Sequence, residues 1–370
     1  MSVHIGDDKK MERIYQAMLL MAPGIGSLKL KKLVDYFGDA QTVWGLKQNA
    51  LLDSGILSAK EIDGLVLLRE RTDADDTLKR WTQQEVCICS LDDKDYPALL
   101  RNIFEPPPLL FYRGHIHGDS LYLAVVGSRR SSPYGRNVAH SFSEKLARSG
   151  VTIVSGAAKG IDAAAHEGAL AAGSGTVAVL GCGVDIAYPA ENAYLLDHII
   201  STGCVISEYP PGTPPTPGQF PARNRIVAGM SVGVLVVEAA DKSGALITAD
   251  FALNENREVY AVPGSVFSTV SRGTHRLIQQ GARLVASAED LLDELGLSTP
   301  SPNGIVQEAL GVASKNVLKE ISYEGTVVLD ELVMRLKMEA SQLAVILLQL
   351  ELAGYVVKNS GAGYSRIAKE

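Results

Sequence analysis

Cysteine is scarce here: the 370 residues hold four thiols, at positions 87, 89, 182 and 204. Cys87 and Cys89 stand two apart in a strand-like run, a spacing that fits neither a redox pair nor a zinc knuckle. All four read as buried thiols of a reducing compartment. No apolar run approaches the length of about 20 residues that spans a bilayer. The first ten residues, Met1 to Lys10, hold no apolar signal core, so a cytoplasmic protein is expected. Positive charge is not in excess either. Lys and Arg number 35 against 42 Asp and Glu, a net charge of −7. That excludes a uniformly cationic surface, and any anion site must be a local patch. Nucleotide signatures are missing as well. Gly181-Cys-Gly183 is followed by Ile186 where a dinucleotide fingerprint needs glycine, and there is no Walker A sequence. No His/Cys cluster has metal spacing. No metal or cofactor is expected.

What is present centres on residues 121–162. An apolar strand-like run, Leu121-Tyr-Leu-Ala-Val-Val126, breaks into Gly127-Ser128-Arg129-Arg130. A helical stretch follows. The pattern then repeats as Val151-Thr-Ile-Val154 and Ser155-Gly156-Ala-Ala-Lys159-Gly160. This is a β-α-β unit whose small-residue turns lie on the ligand-binding edge of an open parallel sheet. Small residues admit a close ligand, and N–H groups at a helix start favour anions. Arg129 and Lys159 would stand side by side there, as a phosphate-binding ledge.

Hydrophobic and charged contents of 46% and 21% are ordinary for a soluble globular chain. The length allows two or three domains. Residues 1–82 read as a helical domain. Its Pro23-Gly-Ile-Gly26 turn between two helices looks like a helix-hairpin-helix (or SAM-like) module, which either touches a DNA backbone or keeps the turn for packing alone. Residues 83–296 form the core, beginning with a connector whose strands, Val86–Cys89 and Leu109–Tyr112, add to the sheet edge. Strand runs follow at 121–126, 151–154, 176–180, 204–207, 232–237, 258–262 and 282–285, with helical patterns between most of them. That alternation predicts an α/β, Rossmann-like, doubly wound, mostly parallel sheet. Residues 297–303 have linker composition. Residues 304–370 read as helices, including Ile305–Leu310, then two short strands joined by a Gly turn, a winged-helix-like domain. Its long third helix carries almost no cations, which favours protein contacts over base reading.

Every strand end from 126 to 263 carries small or polar residues, which argues for one continuous groove. The stretch Tyr209–Gly218 holds five prolines and delivers Phe220-Pro-Ala-Arg223-Asn224-Arg225 to a helix start. Here the arginines could hold phosphate, Asn224 a base edge, and Phe220 a stacking face. Asp162, Asp185, Glu208 and Glu238 are groove carboxylates, read as orienting arginines or capping helices rather than as an acid/base pair. His166 reads as structural.

Six stretches form one set. They are Gly127-Ser-Arg129 with Pro133-Tyr-Gly135, Ser155-Gly156 through Lys159-Gly160-Ile-Asp162 to His166, and Val179 to Asp185. They continue with Ser207-Glu-Tyr-Pro-Pro-Gly212, Phe220 to Gly229, and Ser243-Gly244 to Ala249. Together they resemble the DNA-processing protein A (DprA/Smf) family of bacteria over about residues 90–295. The resemblance implies a protein of natural transformation that binds single-stranded DNA, protects it and helps load RecA onto it. It also implies no enzymatic activity, no nucleotide cofactor, and a homodimer formed through the sheet domain. By motif, it places Gly127, Ser128, Arg129, Ser155, Gly156, Lys159, Phe220, Arg223, Asn224 and Arg225 at the DNA. Asp241-Lys242 stands where relatives often carry a less acidic loop, which would weaken the field locally. The rival is a nucleotide-processing enzyme of the phosphoribohydrolase (lysine-decarboxylase-like) type. Its Pro-Gly-Gly-x-Gly-Thr-x-x-Glu loop is replaced here by Ala240-Asp-Lys-Ser-Gly-Ala-Leu-Ile-Thr248.

Overall fold

A computed structural model describes residues 7–297, 311–323, 325–359 and 363–367. Residues 298–303 of the expected linker, the helical pattern Ile305–Leu310 and most of the Gly361 turn lie outside the described residues.

The N-terminal part is helical: α1 (Asp7–Met21), α2 (Ser27–Phe37), α3 (Ala40–Gly45), α4 (Gln48–Asp53), α5 (Ala59–Arg69) and α6 (Ala74–Gln83). Local chemistry sets the helix starts. Asp39 accepts the Thr42 N–H at 2.6 Å, and Ser58 with Glu61 forms a capping box on α5. The hairpin is built twice. Buried Leu51, Leu57, Ile62 and Leu65 repeat the spacing of buried Leu19, Ile25, Leu30 and Leu33, and all eight share one core.

Nine strands of the described residues form one sheet: β1 (Cys87–Ser90), β2 (Leu109–Gly114), β3 (Tyr122–Val126), β4 (Thr152–Ser155), β5 (Thr176–Val179), β6 (Cys204–Ser207), β7 (Gly233–Val236), β8 (Glu258–Ala261) and β9 (Arg283–Leu284). The spatial order is β1-β2-β6-β5-β4-β3-β7-β8-β9. Neighbours from β6 to β9 pair in parallel, while β2 runs antiparallel to both β6 and β1. The connector therefore extends the sheet at one edge, as its sequence predicts. Between the strands run α7 (Ala98–Arg101), α8 (Pro133–Arg148), α9 (Ile161–Ala171), α10 (Ala193–Thr202), α11 (Gln219–Gly229), α12 (Gly244–Asn254), α13 (Arg272–Gln279) and α14 (Ala288–Glu294).

Side-chain alternation splits the core into layers. Ala124, Val126, Val154, Val234 and Val236 face α11 and α12. Leu123, Val125, Ile153 and Leu235 face α8, α9 and α14. Phe111 and Val205 face α1, α6 and α10, where Trp81 meets Phe111 edge-on at 5.7 Å. The helical module is thereby packed onto the sheet. Three of the four thiols are buried, but Cys87 is exposed, because it begins the edge strand.

The C-terminal part holds α15 (Val312–Glu320), β10 (Val327–Val328), α16 (Leu329–Leu336), α17 (Ala340–Leu352), β11 (Val356–Lys358) and β12 (Gly363–Arg366). Three helices and a small sheet in the order β10-β12-β11 make a winged helix. Its own core gathers Leu318, Leu332, Leu343, Leu347 and Val356.

Candidate functional site

The chain leaves β3, winds outward through β6, then returns to place β7 on the other side of β3. Ligands bind open α/β sheets at such a reversal, outside the carboxyl ends of the strands. A groove of about 890 Å³ lies there, lined by the loops after β3, β4 and β7 and by the start of α11.

Arg129 and Arg130 stand exposed on the loop after β3. The Ser128 N–H donates to the Glu238 carbonyl at 2.8 Å, and the Arg130 N–H donates to Ser128 Oγ at 3.1 Å. These bonds shape the loop and leave the arginine side chains outside it. The loop after β4 passes close beneath. Gly160 has φ +84°, and a Cβ there would lie 2.4 Å from the Ser128 carbonyl. Only glycine permits that approach. Lys159 is exposed and pairs with Glu191 at 2.6 Å. Together Arg129 and Lys159 line a side recess of about 110 Å³ that also holds Tyr188 and Phe220. The Phe220 ring stacks on Tyr188 with centroids 5.2 Å apart, and the Arg129 guanidinium lies over it at 5.4 Å.

The helix starts differ from the sequence expectation. Ser132 caps α8 by accepting the Gly135 N–H at 3.0 Å. The Glu238 carboxylate accepts the Ser132 N–H at 2.8 Å and its hydroxyl at 2.5 Å. At α9, Asp162 accepts the Ala158 N–H at 3.3 Å. Glu238 thus occupies the α8 N-terminus where a Rossmann fold would seat a phosphate, and Asp162 ties down the loop that leads into α9. Burial raises the pKa of each. The sequence reading of these groups as caps and arginine partners is the one the geometry supports.

Of the expected site residues, two lie outside the groove and a third is buried in its floor. Ser155 is fully buried, and its hydroxyl donates to the Val125 carbonyl at 2.6 Å. Arg223 is 4% exposed. Its guanidinium forms part of the groove floor, donating to the carbonyls of Gly156 and Val179 and facing Asp162. Burial lowers its pKa to about 10. Arg225 points away from the groove. It pairs with buried Glu208, donates to the Glu105 carbonyl at 2.8 Å, and lines a separate recess against the connector. Helix geometry gives the reason, since residues two apart on a helix do not face the same way.

Asn224 does line the groove, where its amide donates to the Gly244 carbonyl at 3.3 Å. Gly127 and Gly156 supply backbone at the strand ends. His166 is fully buried, bonded through Nδ1 to Thr176 Oγ1 at 2.9 Å, and is structural. Sequence reasoning missed Arg130, Lys242 and Tyr188. Arg130 adjoins Arg129 in the same turn. The Asp241-Lys242 loop is expected to weaken the field locally, but Asp241 is held toward Arg272 at 3.8 Å while Lys242 lines the groove. Tyr188 had no signal beyond its loop.

Fold and site together define a Rossmann-like protein with a cationic strand-end groove and a carboxylate on its first helix start, carrying a winged helix at its C-terminal end. Residues 87–296 match the DNA recombination-mediator protein A family, and residues 306–362 match the DprA winged helix domain. A protein Smf from a Synechocystis species is 34% identical over 96% of this chain and 99% of its own length. The chain belongs to the DprA/Smf family. The X-ray structure of DNA processing protein A from Streptococcus pneumoniae covers 76% of this chain and 97% of its own at TM-score 0.65 and 38% identity. DNA processing protein A from Helicobacter pylori, whose structure concerns its single-stranded DNA binding mode, covers 56% of this chain and 95% of its own at TM-score 0.52 and 29% identity.

Proposed function

We propose that this protein binds single-stranded DNA in the switch-point groove, as a cytoplasmic mediator of transformation and recombination. The observation that carries the reading is the placement of Arg129, Arg130 and Lys242 around one groove at the strand ends, with the Glu238 carboxylate already on the start of α8. A small nucleotide would meet the Glu238 carboxylate at the start of α8, the first terminus that a Rossmann fold offers a phosphate. An extended strand needs only side-chain cations for its phosphates and a ring for a base. Phe220, braced by Tyr188 and covered by Arg129, supplies the ring. The relative from Helicobacter pylori, with its single-stranded DNA binding mode, supports the same ligand.

The protein acts by binding, not by catalysis. Asp162 and Glu238 are committed to internal bonds, so neither is presented as a base. Loading of RecA and dimerisation through the sheet domain complete the proposal, with working parts 1–82, 83–296 and 304–370, the last two joined by the linker 297–303. Fluorescence anisotropy of labelled oligo-dT tests it. Arg129→Ala/Lys159→Ala should lower affinity at least tenfold while leaving thermal stability unchanged, since each exposed phosphate contact contributes mainly through counterion release. Normal affinity in that variant, or release of free base from nucleoside monophosphates, defeats the reading.

A further inference from the structure

A second cationic-aromatic recess, of about 460 Å³, lies on the winged helix, away from the main groove. Lys315 and Lys319 line it from α15, with Tyr323, Tyr355 and Arg366. The lysines are one helical turn apart, share a face and are exposed. Among the described residues neither has an ion-pair partner, and no carboxylate lines the recess. The neighbouring Glu320 is turned to Arg335, 3.9 Å away. Arg366 lies over the Tyr323 ring at 4.6 Å and donates to the Leu318 carbonyl at 3.1 Å. Its buried Nε has no partner among the described residues. On a chain of net charge −7, three cations and two rings in one hollow form a distinct local patch.

The recess is joined to the main site. The Asn137 amide donates to the Arg366 carbonyl at 2.8 Å. Arg136, beside it on α8, donates to the Ser131 carbonyl at 3.0 Å, in the loop that carries Arg129 and Arg130. Arg136 and Asn137 near the start of α8 thus tie the winged helix to the loop that carries Arg129 and Arg130.

We propose that this recess is a second contact for the same DNA single strand. An unpaired base stacks on Tyr323 beside Arg366, and the flanking phosphates lie on Lys315 and Lys319. The inference rests on the single-strand reading of the main groove. It selects unpaired over duplex DNA for two reasons. A ring platform needs an exposed base face. And α17, where a duplex-reading winged helix would carry its donors, has the sequence ASQLAVILLQLEL, without Lys or Arg.

The test compares wild type, Lys315→Gln/Lys319→Gln and Arg129→Ala/Lys159→Ala. The probes are oligo-dT of about 6 and about 30 nucleotides, within and beyond the site size of one small single-strand module. The lysine pair is exposed, so its replacement leaves folding intact. The expected result for that variant is a loss of about tenfold on the long oligonucleotide and none on the short one. Its log-affinity against log-salt slope should be shallower by about 1.4, the share of two phosphate contacts. Cross-linking of 5-iododeoxyuridine oligonucleotides should reach Tyr323. Unchanged long-strand affinity, equal loss on both lengths, or loss confined to duplex DNA overturns the proposal. If the groove variant binds normally while the lysine variant loses affinity, the main-groove reading fails and the winged-helix contact stands.

Discussion

Arg223 and Arg129 are both arginines of the groove, yet they belong to different physical classes. Arg129 is exposed, so removing it deletes a surface cation and its contact with the Phe220 ring, and leaves no buried charge unpaired. Arg223 is buried against Asp162 and two backbone carbonyls. Arg223→Ala leaves a buried carboxylate without its counter-charge, which costs about 3–5 kcal/mol. Urea unfolding should show that loss, and any fall in DNA affinity should track the unfolded fraction. His166 sets a second residue-scale expectation. Burial lowers its pKa from 6.5 to about 3. Between those values the unfolded chain binds the extra proton, so stability rises with pH across that window and is lost on acidification. From pH 7 to pH 5 the imidazole accounts for a loss of about 2 kcal/mol. Buried Asp162, Glu208 and Glu238 have raised values and act in the opposite direction. Comparing wild type with His166→Gln isolates the imidazole, and the variant should show the smaller loss on acidification.

Between elements, the site depends on how closely α8 and α9 approach, since their first turns carry the two cationic loops. Gly168 makes that approach possible. A Cβ there would lie 2.1 Å from the His140 carbonyl, which is backbone and cannot swing aside. Gly168→Ala should push the helices apart and destabilise by about 1–3 kcal/mol, as overpacking does. Thermal unfolding gives the measurement, and an unchanged midpoint would show that the helices can separate at no cost. The strands and helices of this unit are legible in the sequence because their apolar runs and small-residue turns are local signals. The second hairpin of the N-terminal module was not read. Its turn carries Gly55-Ile-Leu-Ser58 without the Pro-Gly-Ile-Gly signature, and its repeat becomes visible once the buried positions are known.

For the whole molecule, binding must be carried by a local field. The groove and its side recess present Arg129, Arg130, Lys159 and Lys242 on an acidic chain. Four such contacts predict a slope of about −3 for log affinity against log salt on single strands. A titration at several salt concentrations measures it. A slope near zero would remove phosphates as the source of affinity.

The α/β order, the position of the groove at the strand ends and the cationic turns at 127–130 and 155–160 were determined by sequence alone, since each depends on residues near one another in the chain. Tertiary structure decided which of those residues face the groove. Arg223, Asn224 and Arg225 are consecutive, but helical rotation sends one into the floor, one to the groove wall and one to the far side. Glu238 and Ser132 are 106 positions apart, and only the crossing of β7 beside β3 brings that carboxylate onto the start of α8. Local patterns report which residue types are available. Burial and long-range pairing determine which of them remain free to meet a ligand.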